Sequence, residues 1–342
     1  MELCLRANGL PRLKSARKTY ENNRRYWGFG LHRETPCSID VSIGSGRVKV
    51  LMQQRGYESG RYTWPDNVEV VQGDMSDLAS LRGFIEPGST VVNLVYLWNA
   101  GEAENLAITG NLLEACKSAQ VRRLIHSSTA AVVGRACDDT VTESTVCRPV
   151  TEYGIIKLKI EQMIITSAGG HFDAVVLRPT SVFGPGGEPL KKLAETLVGG
   201  RRLRNYFKSC FFGNRRMNWV HIANVVAAIQ FLIQRTANMG GEVYIVSDDQ
   251  DSDNNFAAVE QFLMRTLNRP NYALPRIPFS LHVLSLLLRL LGRNNTNPRT
   301  NYVQAKLQGL GFNRPVVFRD GLAEYAAWYR ATYVGGNGGI PK

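Results

Sequence analysis

The sequence predicts an α/β protein: a doubly wound parallel sheet with crossover helices, followed by a smaller α/β C-terminal lobe. Two observations carry this expectation. From Arg47 onward, short runs rich in Val, Ile and Leu alternate with stretches whose apolar residues recur every three or four positions, the pattern of parallel strands joined by packed crossover helices. After Gly184 that alternation breaks up. The predicted strands, in order, are "RVKVL" (47–51), "VEVVQGD" (68–74), "STVVNLVYL" (89–97), "VRRLIHSS" (121–128) and "DAVVLRP" (173–179), which end in polar or turn residues. Between them, "MSDLASLRGFI" (75–85), "AENLAITGNLLEACKSA" (103–119) and "VTEYGIIKLKIEQMIITSA" (150–168) read as helices. The later part reads as loops, a basic turn at Arg201–Arg204, a strand "EVYIVSD" (242–248) and helices around 255–267, 279–292 and 321–330. The expected divisions are therefore 47–184 for the sheet domain and 185–342 for the smaller lobe, which sends a strand and a helix back to the core. Residues 1–46 stand apart as an aberrant, poorly ordered segment, for reasons given below.

A chain of 342 residues with 44% hydrophobic and 20% charged residues is an ordinary soluble globular protein, large enough for one big core and a smaller one. Its formal charge of +12 suits anionic partners. Met1–Arg47 holds nine of the Lys/Arg and four Asp/Glu, so about +5 of that charge lies in the aberrant segment. The remainder suits a small-molecule diphosphate, and no stripe of basic and aromatic residues speaks for nucleic acid. The six cysteines (4, 37, 116, 137, 147, 210) form no C-x-x-C pair and no signal-peptide pattern opens the chain, which argues for a reducing cytoplasm. With no H-x-x-H or H-E-x-x-H among the five histidines, no metal site is expected. The longest apolar run, "FSLHVLSLLLRLLG" (Phe279–Gly292), is too short to cross a bilayer and contains His282 and Arg289. It reads as a buried helix of the C-terminal lobe in preference to one lying on a membrane surface.

Chemistry concentrates in the helix predicted at 150–168. Tyr153 and Lys157 form Y-x-x-x-K, which puts both side chains on one helix face, a turn apart. A phenol titrates near 10, and an ammonium one turn away favours its phenolate, so the pair can act as a base at neutral pH. Thr129 lies 24 residues before Tyr153, just past the strand "RRLIHSS", where a small hydroxyl at the carboxyl edge of a parallel sheet can face a ligand crevice and orient a substrate oxygen. It is preferred to Ser127 and Ser128 for that part.

The segments "SSTAAVVG", "YGIIK" and "LRPTSVFGPGG" together resemble the extended short-chain dehydrogenase/reductase superfamily, in its nucleotide-sugar epimerase/dehydratase branch, over about Arg47 to Arg330. The resemblance implies a Rossmann-like domain that binds NAD or NADP over 47–184 and a mainly substrate-binding lobe over 185–342. "VVQGDMSD" is similar to the family's G-D-x-x-D, whose first aspartate, Asp74 here, binds the adenine amino group. Cofactor contacts are implied at Asp74, Met75, Tyr153, Lys157 and Pro179. "RRMNWVHIANVVAAI" is similar to the segment whose arginine, matching Arg216, grips a substrate diphosphate, where a guanidinium fork fits phosphate oxygens; substrate contacts are thus implied at Thr129 and Arg216. The implied activity is NAD(P)-dependent epimerisation or oxidoreduction of a nucleotide-sugar, by Tyr/Lys/Thr-assisted hydride transfer. A reductase of hydrophobic alcohols, of hydroxysteroid or flavonol type, and an inactive cofactor-sensing protein are the alternatives. A homodimer through the helices at 103–119 and 150–168 fits the same resemblance. Several positions depart from the family: Val133 replaces an aromatic residue, Ala223-Asn224 replace an acidic pair, and the second strand ends "VLMQQR" with neither a diol-binding acid nor a clear 2′-phosphate arginine, although Arg55 is close. Residues 130–131 are Ala-Ala, without the acid-base pair a dehydratase uses, which favours epimerisation or simple oxidoreduction.

Such a fold needs a glycine loop after its first strand to bring pyrophosphate to a helix N-terminus. "NNRRYWGFGLHRE" (22–34) stands there instead, with only Gly28 and Gly30. Its codons, read one base forward from Tyr20, permit V-V-T-G-A-S-G-F-I-G behind "RRYWGFGLHR", and the first glycine is forced, because a Trp codon followed by any Gly codon contains GGG. The last permitted glycine falls at Arg33, about a helix and a turn before Val48. Residues 1 to about 46 therefore read as translated out of frame, by an error in the gene model or the sequencing or by a real frameshift. The competing reading makes "CSIDVSIGSG" (37–46) an improvised first strand and loop, but Gly44 and Gly46 are too few for the fingerprint.

Overall fold

The computed structural model describes residues 4–8, 47–53, 67–136, 138–290 and 297–334. Its strands are β1 (Cys4–Asn8), β2 (Arg47–Met52), β3 (Val68–Gln72), β4 (Thr90–Asn93), β5 (Arg123–Ser127), β6 (Thr140–Val141), β7 (Asp173–Pro179), β8 (Ser181–Phe183), β9 (Trp219–His221), β10 (Glu242–Val246) and β11 (Asn301–Tyr302). Its helices are α1 (Leu78–Phe84), α2 (Glu102–Ser118), α3 (Glu152–Ala168), α4 (Glu188–Gly199), α5 (Arg202–Phe212), α6 (Ile222–Gln234), α7 (Phe256–Thr266), α8 (Leu281–Leu290), α9 (Ala305–Gly309) and α10 (Phe318–Tyr329). The chain forms two compact units. One comprises Met1–Val132, Thr151–Arg178 and Ala228–Tyr244, the other Val133–Val150, Pro179–Ala227 and Ile245–Lys342.

The main sheet has the spatial order β3-β2-β1-β4-β5-β7-β10, which turns back between β1 and β4 as a doubly wound sheet does. β2 pairs parallel with β3, β4 with β5, and β5 with β7. The expected parallel sheet is interrupted at its centre: β1 runs antiparallel to both neighbours, with Cys4 opposite Leu51 and Asn93 and Asn8 opposite Arg47. Asn8 therefore stands at the edge where the parallel strands begin. The rest of the aberrant segment, with Gly28, Gly30, Gly44 and Gly46, lies outside the described residues.

β4 and β5 are buried throughout, as strands covered on both faces must be. On one face, Leu81 and Phe84 of α1, Ile108 and Leu112 of α2 and Ile156, Ile160 and Ile164 of α3 pack with Leu51, Val91, Leu124 and Ala174 of the sheet. Local capping starts two of these helices: Asp77 accepts from the Ala79 N–H, and Thr151 from the Gly154 N–H. β4 is shorter than the expected 89–97 because the Asn93 side chain turns the chain by accepting from the Val95 N–H at 3.0 Å. The start of β5 also serves the end of α6. Buried Arg123 pairs with Asp173 at 2.5 Å and donates to the carbonyls of Leu232, Arg235 and Ala237, satisfying acceptors a helix terminus leaves open.

The second unit holds two small parallel pairs, β8 with β9 and β11 with β6. Phe183, Leu190, Trp219, Leu263, Phe318 and Tyr325 are among the residues of its core. Gly134 has φ +63°, and a Cβ there would run into the Arg148 carbonyl, so the turn after "AAVV" requires glycine. Two expectations are corrected. Arg201–Arg204 is not a turn but the start of α5, whose Asn205, Ser209 and Cys210 are buried at helical spacing and whose Asn205 donates to the Thr196 carbonyl ending α4. α8 is not a buried helix: Leu284 and Leu288 are inside, but Val283, Leu286, Leu287 and Leu290 are exposed.

Candidate active site

In the first unit, the carboxyl end of β5 and the first turns of α3 bring Thr129, Tyr153 and Lys157 together. The chain leaves β5 through Ser127 and Ser128, both buried, and Ser128 donates its N–H to the Leu177 carbonyl at 2.7 Å. Thr129 follows, and of these three hydroxyls it is the one that acts on the Tyr153 phenol, pulling its titration down. Its Oγ1 also accepts from the Ala131 N–H at 3.2 Å, which fixes its rotamer at the turn.

Lys157 is 2% exposed, and its Nζ donates to the Ser127 carbonyl at 2.7 Å and lies 3.2 Å from His126 Nε2 and 5.9 Å from the Tyr96 ring centre. Burial lowers its ammonium to about 7, against a smaller opposing pull from Glu161. Glu161 is itself bound by Arg178 through both carboxylate oxygens. His126 is driven well below its ordinary value by burial first and by the Lys157 charge second, so the two bases share one proton-poor pocket. Burial likewise raises the Tyr153 phenol to about 12, with the Thr129 hydroxyl opposing and Tyr96 adding to the rise. The expected helical spacing holds, but the expected electrostatics do not. Lys157 points to the end of β5, and burial outweighs any help it lends the phenolate.

Sequence reasoning missed three neighbours. The Trp98 ring stacks on Tyr153 with centres 4.8 Å apart at 21°, and Tyr96 meets Tyr153 edge-on at 4.9 Å. The third is His126. The available signal was "VYLW", two aromatics two residues apart at the end of an apolar run, which places them on one side of the chain.

The other predicted residues lie as follows. Asp74 opens the turn after β3, where a Cβ on Gly73 would collide with Ser80 and Leu51; its Oδ1 accepts from the Ser76 N–H at 2.8 Å and hydroxyl at 2.7 Å. The Met75 side chain is buried in the core of the unit and its carbonyl accepts from Asn111 at 3.1 Å, so any ligand contact there is confined to backbone. Pro179 is buried and closes β7. In the second unit, Arg216 donates from Nη1 to the Asp249 carbonyl at 2.7 Å, and its N–H donates to the Pro298 carbonyl at 3.0 Å. Burial raises the Asp249 carboxyl to about 6, against hydrogen bonds from Tyr302 and Asn218 and the Arg216 charge.

The sequence profile of the NAD dependent epimerase/dehydratase family matches residues 42–247, more than half of the chain. The chain belongs to that family. Among its relatives, a dTDP-glucose 4,6-dehydratase of an Actinoplanes species is 24% identical over 274 residues, covering 76% of this chain and 79% of that protein. Mouse 3 beta-hydroxysteroid dehydrogenase type 7 is 26% identical over 259 residues, covering 66% and 67%. A solved structure of UDP-glucuronic acid 4-epimerase from Bacillus cereus in complex with NAD aligns with a TM-score of 0.60 at 19% identity, over 80% of this chain and 82% of that one. The fold is thus the Rossmann-type α/β fold of NAD-dependent epimerases and dehydratases.

An NAD-dependent family calls for a test of the residues present. Tyr153, Lys157 and Asp74 are of the types that suit the nicotinamide ribose and adenine ends. The diphosphate needs a glycine loop leaving the central strand at the carboxyl edge of its neighbours. Among the described residues no such loop exists, and β1 has Asn8 at the opposite edge. Among the described residues, side chains of suitable type stand for the two ends of the cofactor and none for its middle.

Proposed function

We propose that this chain is built as an NAD(P)-dependent epimerase or oxidoreductase acting on a nucleotide-sugar. The observation that carries this reading is the gathering of Thr129, at the end of β5, with Tyr153 and buried Lys157 on the first turns of α3. Thr129 would orient a substrate hydroxyl, and Tyr153, once ionised to its phenolate, would take that hydroxyl's proton and become the neutral phenol. Lys157, held by Ser127 and His126, would hold a ribose hydroxyl with its ammonium. Bound NAD would supply hydride acceptance and return at the carbon bearing that hydroxyl. Ala130-Ala131 offer no acid-base pair, which supports epimerisation or oxidoreduction over dehydration. Family membership, relatives that act on dTDP- and UDP-sugars, and the guanidinium of Arg216 support the substrate class. The scattered cysteines support a cytoplasmic location; no helix among the described residues is long and apolar enough to cross a membrane. Exposed Ile155 and Ile165 on α3 support a homodimer through α2 and α3.

The test uses a chain with the glycine loop restored in the alternative frame, supplied with NAD and UDP- or dTDP-sugars, with epimer formation followed by chromatography. Tyr153→Phe should lower kcat about 10²–10⁴-fold while cofactor binding stays near that of the parent. Turnover within a few-fold of the parent would remove Tyr153 from the reaction.

A further inference from the structure

The second unit carries a face whose composition differs from the rest of the chain. Leu284 and Leu288 hold α8 to its unit, while Val283, Leu286 and Leu290 on its other side are 54, 59 and 77% exposed. Leu274 and Ile277, just before α8, are also exposed, and so are Leu203 and Phe207 of α5, one helical turn apart. These segments are joined. Tyr206 donates to the Pro275 carbonyl at 3.0 Å, the Phe279 N–H donates to the Cys210 carbonyl at 3.1 Å, and the Phe211 and Phe279 rings stack at 4.1 Å. So many large apolar side chains on one set of connected elements mark a surface that something covers.

The charges beside them say what. No Asp or Glu occurs between Glu195 and Glu242, or between Glu260 and Asp320, while those two stretches hold seven and nine Lys/Arg. Arg201, Arg202, Arg204 and Lys208, at the start of α5 and along it, and Arg289 on α8 are all exposed. A second copy of the chain would bring this face, whose own helices and linking segment carry cations and no acid, against itself, cation to cation, at a cost. Anionic headgroups above an acyl boundary match both parts at once: the phosphates meet the cations, and the leucines enter the apolar layer.

We infer that α5, the 274–279 segment and α8 form a docking surface for an anionic membrane, on which the protein lies without crossing it. The inference is independent of the reaction assigned to the first unit.

Co-sedimentation of the full chain with phosphatidylcholine vesicles, with and without phosphatidylglycerol, tests it. The protein should pellet with the anionic vesicles, remain in solution with the neutral ones, and come off the anionic ones as salt rises. The double variant Leu286→Glu/Leu290→Glu changes only exposed positions, and unchanged circular dichroism would show that it folds; it should lower binding about tenfold or more. Arg204→Gln/Lys208→Gln should lower binding to anionic vesicles by a similar factor, at about 1 kcal/mol per cation. No pelleting with anionic vesicles at low salt, or equal pelleting of parent and both variants, overturns the inference. A dimer in sedimentation velocity that both variants dissociate also overturns it, and gives the face to a second copy.

Discussion

At Lys157 the cost of burial can be read as a pH dependence. Its ammonium, ordinarily near 10.5, is lowered to about 7 in the folded chain, chiefly by desolvation. Between about pH 7 and 10 the unfolded chain keeps a proton that the folded chain has shed, so the contribution of this group to stability rises with pH across that window. Lys157→Met should flatten the rise, seen as urea midpoints at pH 7, 8 and 9 that converge on those of the parent at the alkaline end. Parallel curves for the two proteins would show that the charge is not buried in solution. Arg216→Ala, in the loop-restored chain, should raise KM for a UDP- or dTDP-sugar by about 2–4 kcal/mol with a smaller change in kcat, the signature of a lost buried and charge-assisted contact. An unchanged KM would favour the hydrophobic-alcohol alternative. Tyr153 and Lys157 were legible in the sequence because a four-residue spacing on a helix is local information. His126, Tyr96 and Trp98 were not, since they reach Tyr153 and Lys157 from β5 and from the loop after β4, and no spacing along the chain encodes that approach.

Among the elements, β5 shows a side chain whose part is decided elsewhere. "VRRLIHSS" reads as a strand with a basic start, and β5 is indeed there. That Arg123 closes the end of α6, more than a hundred residues away, is invisible until the strand and helix are packed together. Arg123→Met should therefore lose about 3–5 kcal/mol of stability in urea unfolding, because it strands the Asp173 carboxylate and a set of helix carbonyls in the interior. A loss under ~1 kcal/mol would mean that water replaces the guanidinium there. α8 makes the opposite point. Its apolar residues were legible and its length nearly so, but a run apolar on every side does not say which side is covered. Packing chose Leu284 and Leu288, and left the other leucines outside.

For the molecule as a whole, the centre of the main sheet decides whether a cofactor can be held. The codons behind "RRYWGFGLHR" permit a glycine-rich loop one base out of register, and the family match begins only at residue 42. The written chain should bind NAD far more weakly than a chain with that frame restored, measured by calorimetry on both, because "NNRRYWGFGLHRE" as written lacks the glycine fingerprint that presents backbone N–H groups to a pyrophosphate. Equal affinities, or DNA across codons 20 to 47 that does not spell the loop in the shifted frame, would reject the frame reading. The sequence by itself determined the α/β class, the main strands and helices from Arg47 to Pro179, and the place of Tyr153 and Lys157 a turn apart on one helix, because hydrophobic period and helical spacing are properties of neighbouring residues. Tertiary structure alone decided that β1 enters the sheet antiparallel, that burial rather than the neighbouring ammonium governs the Tyr153 phenol, and that α8 keeps an apolar face outside. Each of these depends on which distant surfaces meet, and on how much water they exclude when they do.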